Sequence, residues 1–116
     1  MRTVDKIAAA LLTLLGVVHC SFTFAYAHKG GGPVNAALFL GAGIAIIIAG
    51  MLNGVRLARA ADALICNVSR ASNILVALFC FAMIHAVGSG ISKAPQVVLV
   101  TAFVVIELIF SVVPRK

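Results

Sequence analysis

The chain has 116 residues, of which 63% are hydrophobic and 10% charged, and its mean hydropathy is +1.18. No water-soluble core of that size buries so much apolar surface, so the composition excludes an ordinary soluble domain and points to a lipid bilayer. The formal net charge of +6 does not point to nucleic acid, because the basic residues cluster at the ends of the apolar segments, where they suit lipid headgroups.

Four apolar segments are predicted, at residues 4–27, 34–55, 71–91 and 96–113. A helix needs roughly 17–25 residues to cross the hydrocarbon core, so each segment is long enough. Together they make one domain over residues 1–116. The expected fold is an all-α integral membrane protein, an up-down-up-down four-transmembrane-helix bundle with short loops.

The first segment follows Arg2 and closes on Ala25-Tyr26-Ala27, which imitates a secretory signal and its cleavage site. Its apolar run from Ile7 to Ala25 exceeds the usual signal core of roughly 7–15 residues, so it is read as a retained span. A loop of His28, Lys29, three glycines and Pro33 then stops the helix, and Pro33 suits the first turn of the next one.

Small residues dominate the second span. Ala37, Gly41, Ala45 and Ala49 recur at four-residue spacing, with Gly50-x-x-x-Gly54 beside them. Lipid gives helices no hydrophobic reason to associate, so close backbone approach at small residues supplies the contact. This face is expected to pack within the chain, or against a second copy in a homodimer or larger membrane complex.

Residues 56–70 form the only long connection, read as a short interfacial helix or an extended end of span two. The third span follows, and the loop from Gly88 to Pro95 repeats the glycine–proline grammar before span four. Seven of the nine basic residues (Arg2, Lys6, Arg56, Arg59, Arg70, Arg115 and Lys116) fall on one side of this layout, and only Lys29 and Lys93 on the other. That is the positive-inside pattern, which puts both termini in the cytoplasm; a bacterial inner membrane is the expected location. Cys20, Cys66 and Cys80 contain no C-x-x-C pair and are read as small hydrophobes.

Ionisable side chains inside spans are costly and therefore functional candidates. His19 and His85 lie 15 residues beyond Val4 and Arg70, the expected inner ends of spans one and three. Both imidazoles are thus expected about 22 Å from the inner boundary on parallel helices. Two such histidines could ligate haem b or hold a quinone, with Gly16 and Gly88 leaving room for a flat ring. The alternative is hydrogen bonding within the bundle, to Thr23 or Ser89 for example. A metal would want further ligands, and only Cys20 and His28 are near, so none is expected.

Glu107 is read as the single acid within a span, about 10 Å from the inner boundary. Asn53, Arg56 and Asn73 are expected at similar depth. Together they read as a proton or cation site, or as an Arg–Glu pair with two amides tying three helices together.

Size and span number resemble the small multidrug-resistance exporters. Those proteins rely on a membrane-embedded glutamate in the first span and show little charge bias, whereas this chain has His19 there and a strong bias. The resemblance stops at layout and implies no family. Hydrolytic chemistry is not expected, since no Ser-His-Asp or Cys-His arrangement is apparent and the loops are short. The expected function is a non-enzymatic accessory or oligomeric bundle acting through helix–helix contacts. A two-histidine haem or quinone protein and a proton-coupled transporter or channel using Glu107 are the alternatives.

Overall fold

The computed structural model describes residues 2–26, 29, 32–88 and 95–113. The candidate ligand His28, Ser89 and the loop over 89–94 lie outside that set, as do Arg115 and Lys116. Four helices account for nearly all described residues: α1 (Arg2–Tyr26), α2 (Pro33–Ala58), α3 (Ala63–Val87) and α4 (Pro95–Val112). Each is long and apolar enough to cross a membrane.

Local chemistry sets the ends. Gly32, at φ 74°, precedes Pro33, which opens α2 where its missing N–H costs no helix hydrogen bond. Gly88 closes α3 at φ 54°, a left-handed geometry that favours glycine, and its N–H donates to the Ile84 carbonyl.

The connection between α2 and α3 departs from the expectation. Residues 56–70 are not an interfacial helix: α2 runs on to Ala58, a turn occupies 59–62, and α3 begins at Ala63 rather than at 71. The cause is Asp62, whose carboxylate accepts hydrogen bonds from the Leu64 and Ile65 N–H groups at 3.0 and 3.2 Å. That N-cap starts the helix well before the apolar run does. Asp62→Ala should cost about 1 kcal/mol, measured by reversible unfolding in mixed micelles, with fraying confined to the first turn of α3 in amide exchange.

The helices pack in a ring, α1 on α2, α2 on α3, α3 on α4 and α4 on α1, so that α1 and α3 occupy one diagonal. Leu12, Ile46, Ala49, Val76, Val100 and Val104 fill the centre. Leu14, Leu38, Leu75, Leu78 and Ile109 point outward. An apolar exterior of this extent is costly in water.

The tightest seam lies between α1 and α2. A Cβ on Gly16 would sit 2.7 Å from the Ile47 backbone N, one on Gly43 2.5 Å from Cys20 Sγ, and one on Gly50 2.6 Å from the Thr13 backbone N. Gly16 therefore gives its space to α2 rather than to a cofactor. The small-residue row expected along α2 divides: Ala49 and Gly50 are buried, while Ala37, Gly41, Ala45 and Gly54 are exposed.

Candidate functional site

Near the start of α1 and the end of α2, all four helices contribute to one buried polar cluster. Asn53 and Arg56 stand one turn apart on α2, and Ser69 and Asn73 one turn apart on α3, so each pair shares a helix face. Asp5 reaches in from α1 and Glu107 from α4. Arg56 is 1% exposed, and Asn53, Ser69, Asn73 and Glu107 are completely enclosed.

Arg56 organises the cluster. Its Nη2 donates to Asp5 Oδ1 at 2.7 Å and to Glu107 Oε2 at 2.8 Å. Its Nη1 reaches the Phe110 carbonyl at 3.3 Å and its Nε reaches Asn53 Oδ1 at 3.3 Å. Asn53 Oδ1 also accepts from Ser69 Oγ at 2.8 Å and from Asn73 Nδ2 at 3.0 Å. Asn53 Nδ2 in turn donates to Asn73 Oδ1 at 2.8 Å and to the Ala49 carbonyl at 2.9 Å. The Asn53 amide is thus saturated, as buried polar groups require. One atom is not: Glu107 Oε1 is buried with no hydrogen-bond partner.

The structure brings together Asn53, Arg56, Asn73 and Glu107, the four residues that depth along the spans had grouped. It adds two. Ser69 is the smaller addition. Asp5 is a correction, because Glu107 is not the single acid: Asp5 is 5% exposed and lies within the apolar stretch Thr3–Thr23 of α1. A signal was there, since Asp5 sits in the first span as drawn from sequence, beside its charged inner end. Hydropathy alone treats such a residue as a boundary.

The histidines behave differently. His19 stacks on Phe39 of α2, ring centroids 3.8 Å apart and planes 14° from parallel. Its Nε2 is buried without a partner, as is Thr23 Oγ1 one turn on. His85 is exposed, and its helix lies diagonally across the ring from α1. Equal depth along the helices therefore does not become a shared site; rotation about each helix axis turns one ring inward to Phe39 and the other out. A haem between them would lack its second axial ligand.

Among the described residues no group of three or more His, Cys, Asp or Glu side chains is placed to hold a metal. A surface groove of about 390 Å³ runs between α1 and α2, lined by Lys6, Ala9, Thr13, Gly50 and Gly54 among others, and includes neither histidine. No protein-family model, no curated protein and no solved structure matches this chain, so the cluster is read from its geometry alone.

Proposed function

We propose that this protein is a non-enzymatic membrane bundle that acts by pressing the outer face of α2 against another transmembrane helix, in a homodimer or a larger membrane complex. The carrying observation is the row Ala37, Gly41 and Ala45, which is exposed while the neighbouring Ala49 and Gly50 are used inside the chain. A Cβ on Gly41 would meet nothing within 4 Å, so a second backbone has room to approach there. Residence in a bilayer is supported by the apolar exterior. An up-down-up-down course is supported by the meeting of Asp5, early in α1, with Arg56, late in α2, and of both with Glu107, late in α4. The positive-inside pattern supports cytoplasmic termini, and a bacterial inner membrane is the proposed setting.

Cysteine cross-linking in native membranes tests the seam. With Cys20, Cys66 and Cys80 replaced, Ala45→Cys should give a cross-linked dimer or a larger discrete adduct. Leu75→Cys, on the exposed face of α3, should not. Equal cross-linking at both positions, or none at Ala45→Cys despite full thiol labelling, removes the α2 face from consideration.

A further inference from the structure

We propose that the groove between α1 and α2 seats one anionic phospholipid, with an acyl chain on its floor and the phosphate held at its mouth by Lys6 and Arg59. The proposal rests on residence in a bilayer and is independent of the α2 seam. Shape comes first. A Cβ on Gly50 would stand 2.6 Å from the Thr13 backbone N, so the two helices touch there. One turn nearer the end of α2, a Cβ on Gly54 would meet nothing within 4 Å. The helices therefore part from a closed apex, and the small side chains of Ala9, Ala10 and Ala58 do not fill the gap. About 390 Å³ is left, walled by Met51 and Leu57. From Lys6 to Thr13 the groove is about 10 Å long at the helical rise. A helix about 10 Å across would need roughly twice that volume over the same length, so a transmembrane segment can cover the groove but not enter it. A single hydrocarbon chain is slender enough to enter. The row Gly50, Gly54 and Ala58 is also turned roughly 140° about α2 from Ala37, Gly41 and Ala45, so groove and seam lie on different faces.

Charge selects the headgroup. Lys6 lies within the apolar stretch Thr3–Thr23, yet it is exposed and makes no hydrogen bond or ion pair among the described residues. An ammonium on the outer face of a span is costly unless its stem carries it to an anion at the interface. Arg59 stands at the C-cap of α2, exposed and next to Ala58, which lines the groove. A second depression continues from Ala58 over the turn at 59–62 and includes Arg59. The acid of that depression, Asp62, is committed to capping α3, and Asp5 is turned into the interior. The exposed charge at the mouth is therefore positive, as in basic span ends that attract anionic lipid. An apolar floor beside two basic side chains fits an amphiphile with a negative head. Free phosphate has no use for the floor, and an uncharged lipid none for Lys6 and Arg59.

The test is native mass spectrometry of the full chain in mild detergent, titrated with dioleoylphosphatidylglycerol or dioleoylphosphatidylcholine. One phosphatidylglycerol per chain should be retained, about tenfold more firmly than phosphatidylcholine. Lys6→Gln and Arg59→Gln should each weaken it about fivefold, whereas Lys29→Gln, in the connection between α1 and α2 at their other ends, should not. Gly54→Leu places a side chain in open space, so it blocks the groove without forcing the helices apart, and retention of phosphatidylglycerol should fall. Gly41→Leu obstructs the α2 seam instead and should leave lipid retention unchanged, so the two proposals fail separately. Equal retention of the two lipids by the unmodified protein overturns the anionic site, and this arm requires no variant to fold. Full retention in Gly54→Leu overturns the groove as the seat. Displacement of the lipid by millimolar inorganic phosphate overturns it in favour of a bare anion site.

Discussion

Arg56→Met should be the most damaging single substitution in this chain, costing about 3 kcal/mol or more of folding free energy. The guanidinium makes four hydrogen bonds while 1% exposed, two of them to carboxylates. Methionine keeps much of the stem volume but takes the guanidinium away from Asp5 and from the fully enclosed Glu107. Buried ion pairs contribute little net stability when intact, because desolvation offsets attraction; the cost falls on whatever is stranded when one partner goes. Neutralising the acids together with the arginine, in Arg56→Met/Asp5→Asn/Glu107→Gln, should therefore recover much of the loss. Arg56→Lys should lie in between, since one ammonium cannot span Asp5, Glu107, Asn53 and the Phe110 carbonyl at once. Reversible unfolding in mixed micelles measures all three. A loss below about 1 kcal/mol for Arg56→Met, in the range of exposed salt bridges, would show that water reaches the cluster.

The second large effect belongs to the α1–α2 seam. In Gly50→Ala the new methyl group would stand 2.6 Å from the Thr13 backbone N and 2.9 Å from its Cα. Backbone cannot swing aside as a side-chain tip can, so the two helices must separate, at a cost of about 1–3 kcal/mol. Gly54→Ala is the control four residues along the same helix. A Cβ there meets nothing within 4 Å, and alanine is the better helix former by roughly 0.5–1 kcal/mol. The two variants should move stability in opposite directions in the same assay. Equal effects would mean that α1 and α2 do not approach so closely at Thr13.

Those two sites also show what could be read along the chain and what could not. Four long apolar helices follow from hydropathy and length, and Pro33 and Pro95 mark two starts because proline tolerates a helix's first turn. Hydropathy misplaced the start of α3, since the residues before 71 are mixed in polarity and the deciding feature is a capping bond from Asp62. The grouping of Asn53, Arg56, Asn73 and Glu107 was legible because distance along a helix axis is simple arithmetic. Rotation about that axis is not, so His19 and His85 share a depth yet not a site. Asp5 was passed over because a charge near the end of a span resembles a boundary. Gly43 was missed and Gly16 was given the wrong role, room for a cofactor, for a related reason: they pair across two helices, whereas the spacing rule searched along one.

The order in which the helices are made gives the buried cluster a further meaning. Arg56 and Asp5 belong to the first two helices, and Glu107 belongs to the last. Chains emerge from the ribosome amino end first, so Asp5 and Arg56 are both made before Glu107. Closing that pair sets one charge against one, while the rest of the α1–α2 hairpin stays basic through Arg2, Lys6 and Lys29. The second acid of the cluster, Glu107, comes only with the last helix. Docking of the final helix is therefore the step that completes the arginine's set of partners, Glu107 and the Phe110 carbonyl included.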